Sequence, residues 1–194
     1  MAAFGGCIVI LLVAAVFAAM WAIWRYNNLI SLRNQVANGW RQIDVQLKRR
    51  HDLIPNLVSA VKGEMQFEQD TLEKVIQARN SAVSARGVAD AADKENALSQ
   101  SLGRLFALAE NYPNLKANEN VRSLMEELSS TENRIGFARQ FYNDIATRFN
   151  TAQQVFPDSY IAQTFKFQPV ELFELKDETE RAVPKVDLSL RPPQ

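Results

Sequence analysis

The first charged side chain in this sequence is Arg25. Ahead of it, Ala2 to Trp24 forms one uncharged, mostly apolar run of 23 residues. At about 1.5 Å per residue such a helix extends roughly 35 Å, enough to cross a hydrocarbon core of about 30 Å. The run reads as a retained membrane anchor, so the remainder of the chain is a domain tethered to a bilayer. A cleaved signal peptide fits poorly. Nothing basic precedes the run, it is longer than a signal core, and it ends in the bulky Met20-Trp21-Ala22-Ile23-Trp24. Cys7 has no apolar segment before it and reads as small apolar filler.

The anchor carries two further patterns. Trp21 and Trp24 suit the aromatic belt at the exit interface, and Arg25 can snorkel beyond them. Ala14, Ala18 and Ala22 recur every four residues, a small-residue stripe that lets two membrane helices approach closely. After the span come Arg25, Arg33, Arg41, Lys48, Arg49 and Arg50, against the single acid Asp44. The positive-inside rule then keeps the domain in the cytoplasm and sends the short N-terminus out; a periplasmic domain is the alternative.

Beyond the span, roughly 170 residues remain, enough for one domain. All 22 basic and 22 acidic residues lie there and cancel, which argues against a nucleic-acid partner, since that needs a basic face. The single Cys, inside the span, leaves no disulfide framework and no Cys-based metal site.

Helical spacing dominates the domain. Leu29, Leu32, Val36, Trp40, Ile43, Leu47, Ile54, Val58, Val61, Met65, Leu72 and Val75 step by threes, fours and sevens. They predict one helix from about Tyr26 to Ala85, kinked but not ended by Pro55. Gly87 then serves as a C-cap and Asp90 opens a second helix to about Tyr112, with Leu98, Leu102, Leu105 and Ala109 on one stripe. Asn111-Tyr112-Pro113-Asn114 reads as a turn. A third helix runs from about Ala117 to Val155, on Val121, Leu124, Leu128, Ile135, Ala138, Tyr142, Ile145 and Phe149. Phe156-Pro157 stops it, and Asp158 caps a short helix over 159–164. FKFQPVELFEL, residues 165–175, packs back as a short helix or extended strap, and 176–194 reads as a disordered tail. The expected fold is all-α: a membrane anchor over residues 1–25, then an elongated antiparallel bundle of long helices over 26–175.

Catalytic motifs are missing. One histidine, His51, rules out a di-iron E-x-x-H pair and an H-E-x-x-H zinc site, and no phosphate loop, dinucleotide loop or nucleophile elbow occurs. The expectation is a protein that is not an enzyme and carries no cofactor. Two polar residues nevertheless fall on the apolar seam, His51 and Glu68. One reading makes Arg49, Arg50, His51 and Asp52, beside Pro55 and Asn56, a recognition or assembly site. The other makes them an internally paired network that holds register.

The stretch YNNLISLRNQVANGWRQIDVQLKRRHDLIPNLVSAVKG, residues 26–63, resembles the signature of the LemA family of bacterial membrane proteins. TLEKVIQAR, ENYPNLKAN, TENRIGFAR, YND-x-x-x-x-FN and FPDSYIAQTFKF follow in the family's order, so the resemblance covers roughly residues 5–175. After Gly63 the family often reads G-Y-A-x-H-E; here Glu64 to Glu68 lacks the aromatic and the histidine but keeps Glu68. Where many relatives have Ala before the tryptophan, this chain has Gly39. The resemblance implies one membrane helix in the bacterial inner membrane, a helical bundle inside, and no established catalytic activity. It also implies a role as a membrane organiser or accessory protein. Two expectations follow: a scaffold that forms homo-oligomers on the lipid bilayer, or an adaptor for another membrane protein such as a quality-control protease.

Overall fold

A computed structural model describes residues 2–174; the expected tail and the side chain of Cys7 lie outside what it describes. The described residues are mostly helical, without strands: α1 (Ala2–Val61), a 3-10 turn (Gln66–Glu68), α2 (Gln69–Val83), α3 (Gly87–Ala109), α4 (Pro113–Ala117), α5 (Glu119–Gln154) and α6 (Asp158–Thr164).

The apolar run and the first bundle helix are one continuous α1, as expected from the lack of a breaker between Trp24 and Gly39. Its first part is long and apolar enough to cross a membrane, and every side chain from Val9 to Trp21 is exposed. Large apolar groups presented all round this first part of α1 suit the hydrocarbon of a membrane.

The sequence predicts a single helix to Ala85, and the structure divides it. α1 ends at Val61, the chain reverses over Lys62–Met65, and α2 returns antiparallel along α1. The seam hides the reversal because Met65, in the turn itself, is fully buried. Val61, Met65 and Leu72 therefore keep helical spacing across a bend. Pro55 does lie inside α1. Having no N–H, it leaves the carbonyl of His51 without its helical donor. Arg79 on α2 supplies one instead, its Nε–H lying 3.1 Å from that carbonyl.

α3 rises beside α2, beginning at Gly87, three residues before the expected cap. Gly87 has φ +79°, which a side chain would strain. Asp90 acts from inside the first turn, accepting from the Arg86 amide at 2.8 Å and from Lys94 at 2.9 Å; these two bonds hold its carboxyl below the ordinary range. Asn118 caps α5, which descends the full height of α1. From Arg25 to Val61 α1 extends about 55 Å, and the 36 residues of α5 extend about 54 Å. α2 and α3 are too short to cover that length. The lower part of the α1/α5 pair is covered by the extended segment 167–174, the strap anticipated as one of two possibilities.

Three apolar layers stack along the bundle. Leu29, Ile161 and Ala162 form the lowest, Val36 to Phe149 with Phe173 the middle, and Ile54 to Leu128 the top. In the middle layer the α1 and α5 backbones meet closely at Gly39, where an added Cβ would stand 3.4 Å from the Tyr142 Cα. That is ordinary contact, and alanine is the better helix former. Gly39→Ala should therefore stabilise the bundle by about 0.5–1 kcal/mol, a rise of about 1–4 °C in thermal melting followed by circular dichroism.

Candidate functional site

Between the middle and top layers lies a charged layer. Arg50, one helical turn past Leu47, turns inward and is 1 % exposed. Its guanidinium pairs with Glu95 on α3 and Glu132 on α5, and donates to Ser99 Oγ at 2.8 Å. His51 Nε2 stands 2.8 Å from Glu95 Oε1, and Ser99 donates to Glu132 at 3.1 Å. Glu95 is 3 % exposed, whereas 43 % of the Glu132 side chain faces solvent. Burial by itself raises the Glu95 carboxyl; the hydrogen bond with His51 and the charges of Arg50 and His51 outweigh it, and the group lies below the usual glutamate range. Burial also lowers Arg139, with Glu132 and Glu95 opposing and Arg50 adding to the effect.

This arrangement spends its groups on one another. Arg50 and Arg139 balance Glu95 and Glu132 in charge, and three helices are tied at one height. A buried ion pair adds little net stability over an apolar equivalent, but a shifted register would strand its charges. Among the described residues, no group of three or more His, Cys, Asp or Glu side chains converges as a metal site.

The residues flanking Arg50 do not form one surface with it. Arg49 points out and meets Glu127 at 2.6 Å. Asp52 and Asn56 are exposed and Pro55 is half-buried in α1. Glu68, at the far end of the bundle, accepts a long 3.5 Å contact from the Tyr112 hydroxyl. A groove of about 480 Å³ opens beside the charged layer between α1 and the α2–α3 turn, lined by Trp40, Asp44, Lys48, His51, Asp52 and Arg79 among others. Sequence reasoning missed Glu95, Ser99 and Glu132. A signal was there for Glu95: Ala91, Glu95, Leu98, Leu102, Leu105 and Ala109 step by fours and threes, and all six are buried.

A second constellation holds the strap. Asn150 donates to the Val170 carbonyl at 2.8 Å and accepts from the Val170 amide at 2.9 Å. Asn143 does the same for Phe173, at 3.1 and 2.8 Å. The spacing makes this possible: seven helical residues and three extended residues both advance about 10 Å. The next position up α5 is Gly136, and the ladder stops. Tyr142 donates to the Glu171 carbonyl at 2.7 Å, and burial together with Glu171 raises its hydroxyl above the usual tyrosine value, so it remains a donor. Trp40 packs on Tyr142 and Phe173, with ring centroids 5.8 and 6.1 Å apart. The YND-x-x-x-x-FN pattern thus supplies the clamp: Tyr142, Asn143 and Asn150 grip the strap's backbone, and Phe149 packs on its Phe167.

At the other end of the bundle, Arg25 lies over the rings of Trp21 and Trp24, at 5.6 and 4.9 Å, and its Nε stands 3.4 Å from Asp158. Ala14 and Ala18 are exposed, whereas Ala22 is half-buried against the lowest apolar layer. The stripe is therefore divided, with its last member occupied by α6.

A model of the LemA family matches residues 39–188, a stretch that contains the charged layer, the Pro55–Arg79 pair and the strap clamp. The chain belongs to the LemA family. Similar proteins include "Protein LemA" of Metamycoplasma hominis, 29 % identical over 157 residues, covering 80 % of this chain and 71 % of the relative. "Magnetosome protein MamQ" of Magnetospirillum gryphiswaldense is 24 % identical over 180 residues, covering 79 % of this chain and 66 % of the relative. "Magnetosome protein MamQ 2" of Paramagnetospirillum magneticum matches at the same identity and extent. The chain thus spans just under two thirds of the MamQ proteins' length.

Proposed function

We propose that this LemA-family protein is a non-enzymatic scaffold, anchored in the bacterial inner membrane, that self-assembles through its helical bundle. The observation that carries the reading is an unpartnered face where α1 meets α5. Phe137 and Phe141, one turn apart on α5, are 74 % and 47 % exposed, and Val45 on α1 is exposed as well. Arg134, on the same α5 face as both phenylalanines, lines a shallow groove with Val45 and Gln46. The Gln46 Oε1 is buried there without a hydrogen-bond donor. Exposed aromatics beside an unsatisfied acceptor suit contact with another copy. Ala14 and Ala18 support close approach of neighbouring spans in the same assembly. The non-enzymatic part is supported by the pairing of Glu95 with both Arg50 and His51, which turns these groups toward one another.

The test is native mass by light scattering of the full chain in mild detergent. Wild type should exceed the monomer mass, and Phe137→Ser with Phe141→Ser should return it to the monomer without loss of helicity. A wild type that stays monomeric at high concentration would sink the scaffold reading. The basic flank after Trp24 supports a cytoplasmic bundle with the N-terminus outside; impermeant labelling of a cysteine at Asp52 in intact cells would reverse that orientation.

An adaptor for another membrane protein is the second reading, supported by the groove beside His51, whose Asp44, Lys48, Asp52 and Arg79 offer both charges to a partner. It predicts that photo-crosslinks from Lys48 or Asp52 capture one defined foreign protein; self-crosslinks alone would count against it.

A further inference from the structure

The corner where α5 turns into α6 exposes a cluster of apolar groups that lies apart from the self-assembly face and is only partly covered by the bundle. Phe156, Tyr160 and Phe165 are 83 %, 74 % and 59 % exposed, with Val155 exposed beside them. Their height relative to the membrane is set by contacts with α1. Asp158 meets Arg25 at 3.4 Å, and the Tyr26 and Phe165 rings lie 4.6 Å apart. Ile161 and Ala162 close over Leu29, with Ala22 and Tyr26 packed against them. Ala22 belongs to the last turn of the apolar run, so α6 is level with Trp21, Trp24 and Arg25. Ala22 and Tyr26 both pack on α6, and from one to the other α1 rises about 6 Å, similar to one leaflet's headgroup layer, which is half the difference between a core of about 30 Å and a full thickness of about 40–45 Å.

We propose that the α5–α6 corner is a second membrane contact, a foot whose Phe156, Tyr160 and Phe165 enter the headgroup–acyl boundary of the bilayer crossed by α1. The charges agree. Between Ile145 and Val170 the only acid is Asp158, which Arg25 neutralises, and Arg148 and Lys166 are basic. Aromatics flanked by Lys and Arg are the composition of an interfacial contact. Two attachment points on one rigid bundle fix its tilt, which a single continuous helix does not. The inference rests on the membrane-span reading of α1 and is independent of self-assembly.

The test places single nitroxide labels on the full chain in phosphatidylethanolamine–phosphatidylglycerol vesicles, in a Cys7→Ala background. Labels at Phe156→Cys and Tyr160→Cys report the foot. Phe17→Cys reports the span, and Phe67→Cys, 96 % exposed at the far end of the bundle, reports water. Collision with oxygen relative to a water-soluble nickel chelate should be several-fold higher at 156 and 160 than at 67, approaching the value at 17. Water-like values at 156 and 160 with a lipid-like 17 would overturn the foot and leave the span intact. Protection from both colliders would assign the patch to protein rather than lipid, overturning it also. A water-like 17 would instead remove the span reading on which the foot depends.

Discussion

Replacing Glu95 by Gln lowers the stability of the full-length protein by about 3–5 kcal/mol. The amide is the same size, so no cavity opens. What is lost is the charge opposite Arg50, whose side chain is 1 % exposed and cannot reach water. Glu132 remains as partner, but it is 43 % exposed and its field is screened. For a domain of this size the loss corresponds to a fall of about 6–20 °C in thermal midpoint, read by circular dichroism in detergent. The pairing is separable from mere disruption by a double-mutant cycle. Arg50→Met and Glu95→Leu should each be severely destabilising alone and much less so together, because the pair removes both charges at once. Additive losses would mean that the charged layer is not one unit.

The same residue gives a pH dependence. The folded protein holds the Glu95 carboxyl below its unfolded value, so its contribution is complete above the ordinary glutamate range and disappears as pH falls through the folded value. Wild type should lose stability faster than Glu95→Gln as pH falls through and below the ordinary glutamate range, and the two curves should converge once Glu95 is protonated in the folded protein.

The second large effect belongs to the strap. Asn143→Leu with Asn150→Leu removes four hydrogen bonds and strands the backbone groups of Val170 and Phe173 against an apolar layer. The expected cost is about 2–4 kcal/mol, concentrated in residues 167–174 rather than spread over the fold. Hydrogen exchange reads it directly, because the Val170 and Phe173 amides donate to the two asparagines. Their protection should fall by about 30-fold or more while amides of the Ile54–Leu128 layer keep theirs. Asn→Asp at either site is the discriminating variant. It keeps an acceptor for the amide but offers no donor to the carbonyl, so it should lose protection by an intermediate factor. Unchanged exchange in the double leucine variant would mean that Phe167 and Phe173 packing alone retains the strap.

Much of the architecture was legible in the residues. Uncharged Ala2–Trp24 needed only helix rise and bilayer thickness to read as a membrane helix. Threes and fours along Leu29–Val75 and Val121–Phe149 identified which faces are buried, because a helix repeats every 3.6 residues whatever it packs against. The same local periodicity is blind to direction. Met65 fills a core position from within a turn, so the seam runs unbroken through a chain reversal, and only tertiary packing reveals that α2 returns along α1. Arg50 shows the same limit. In sequence it is one of several basic residues in QLKRRHDL; what separates it from exposed Arg49 is the presence of Glu95 and Glu132 on two other helices, at distances of 45 and 82 residues along the chain. The pairing of Pro55 with Arg79, and of Asn143 and Asn150 with an extended strap, likewise joins partners that no spacing rule connects. Local sequence determined the helical class, the buried faces and the apolar run, since each depends on neighbours within a turn or two. Which charges meet, where the chain reverses and what lies level with the membrane were decided by tertiary structure, since these depend on contacts between segments far apart in the chain.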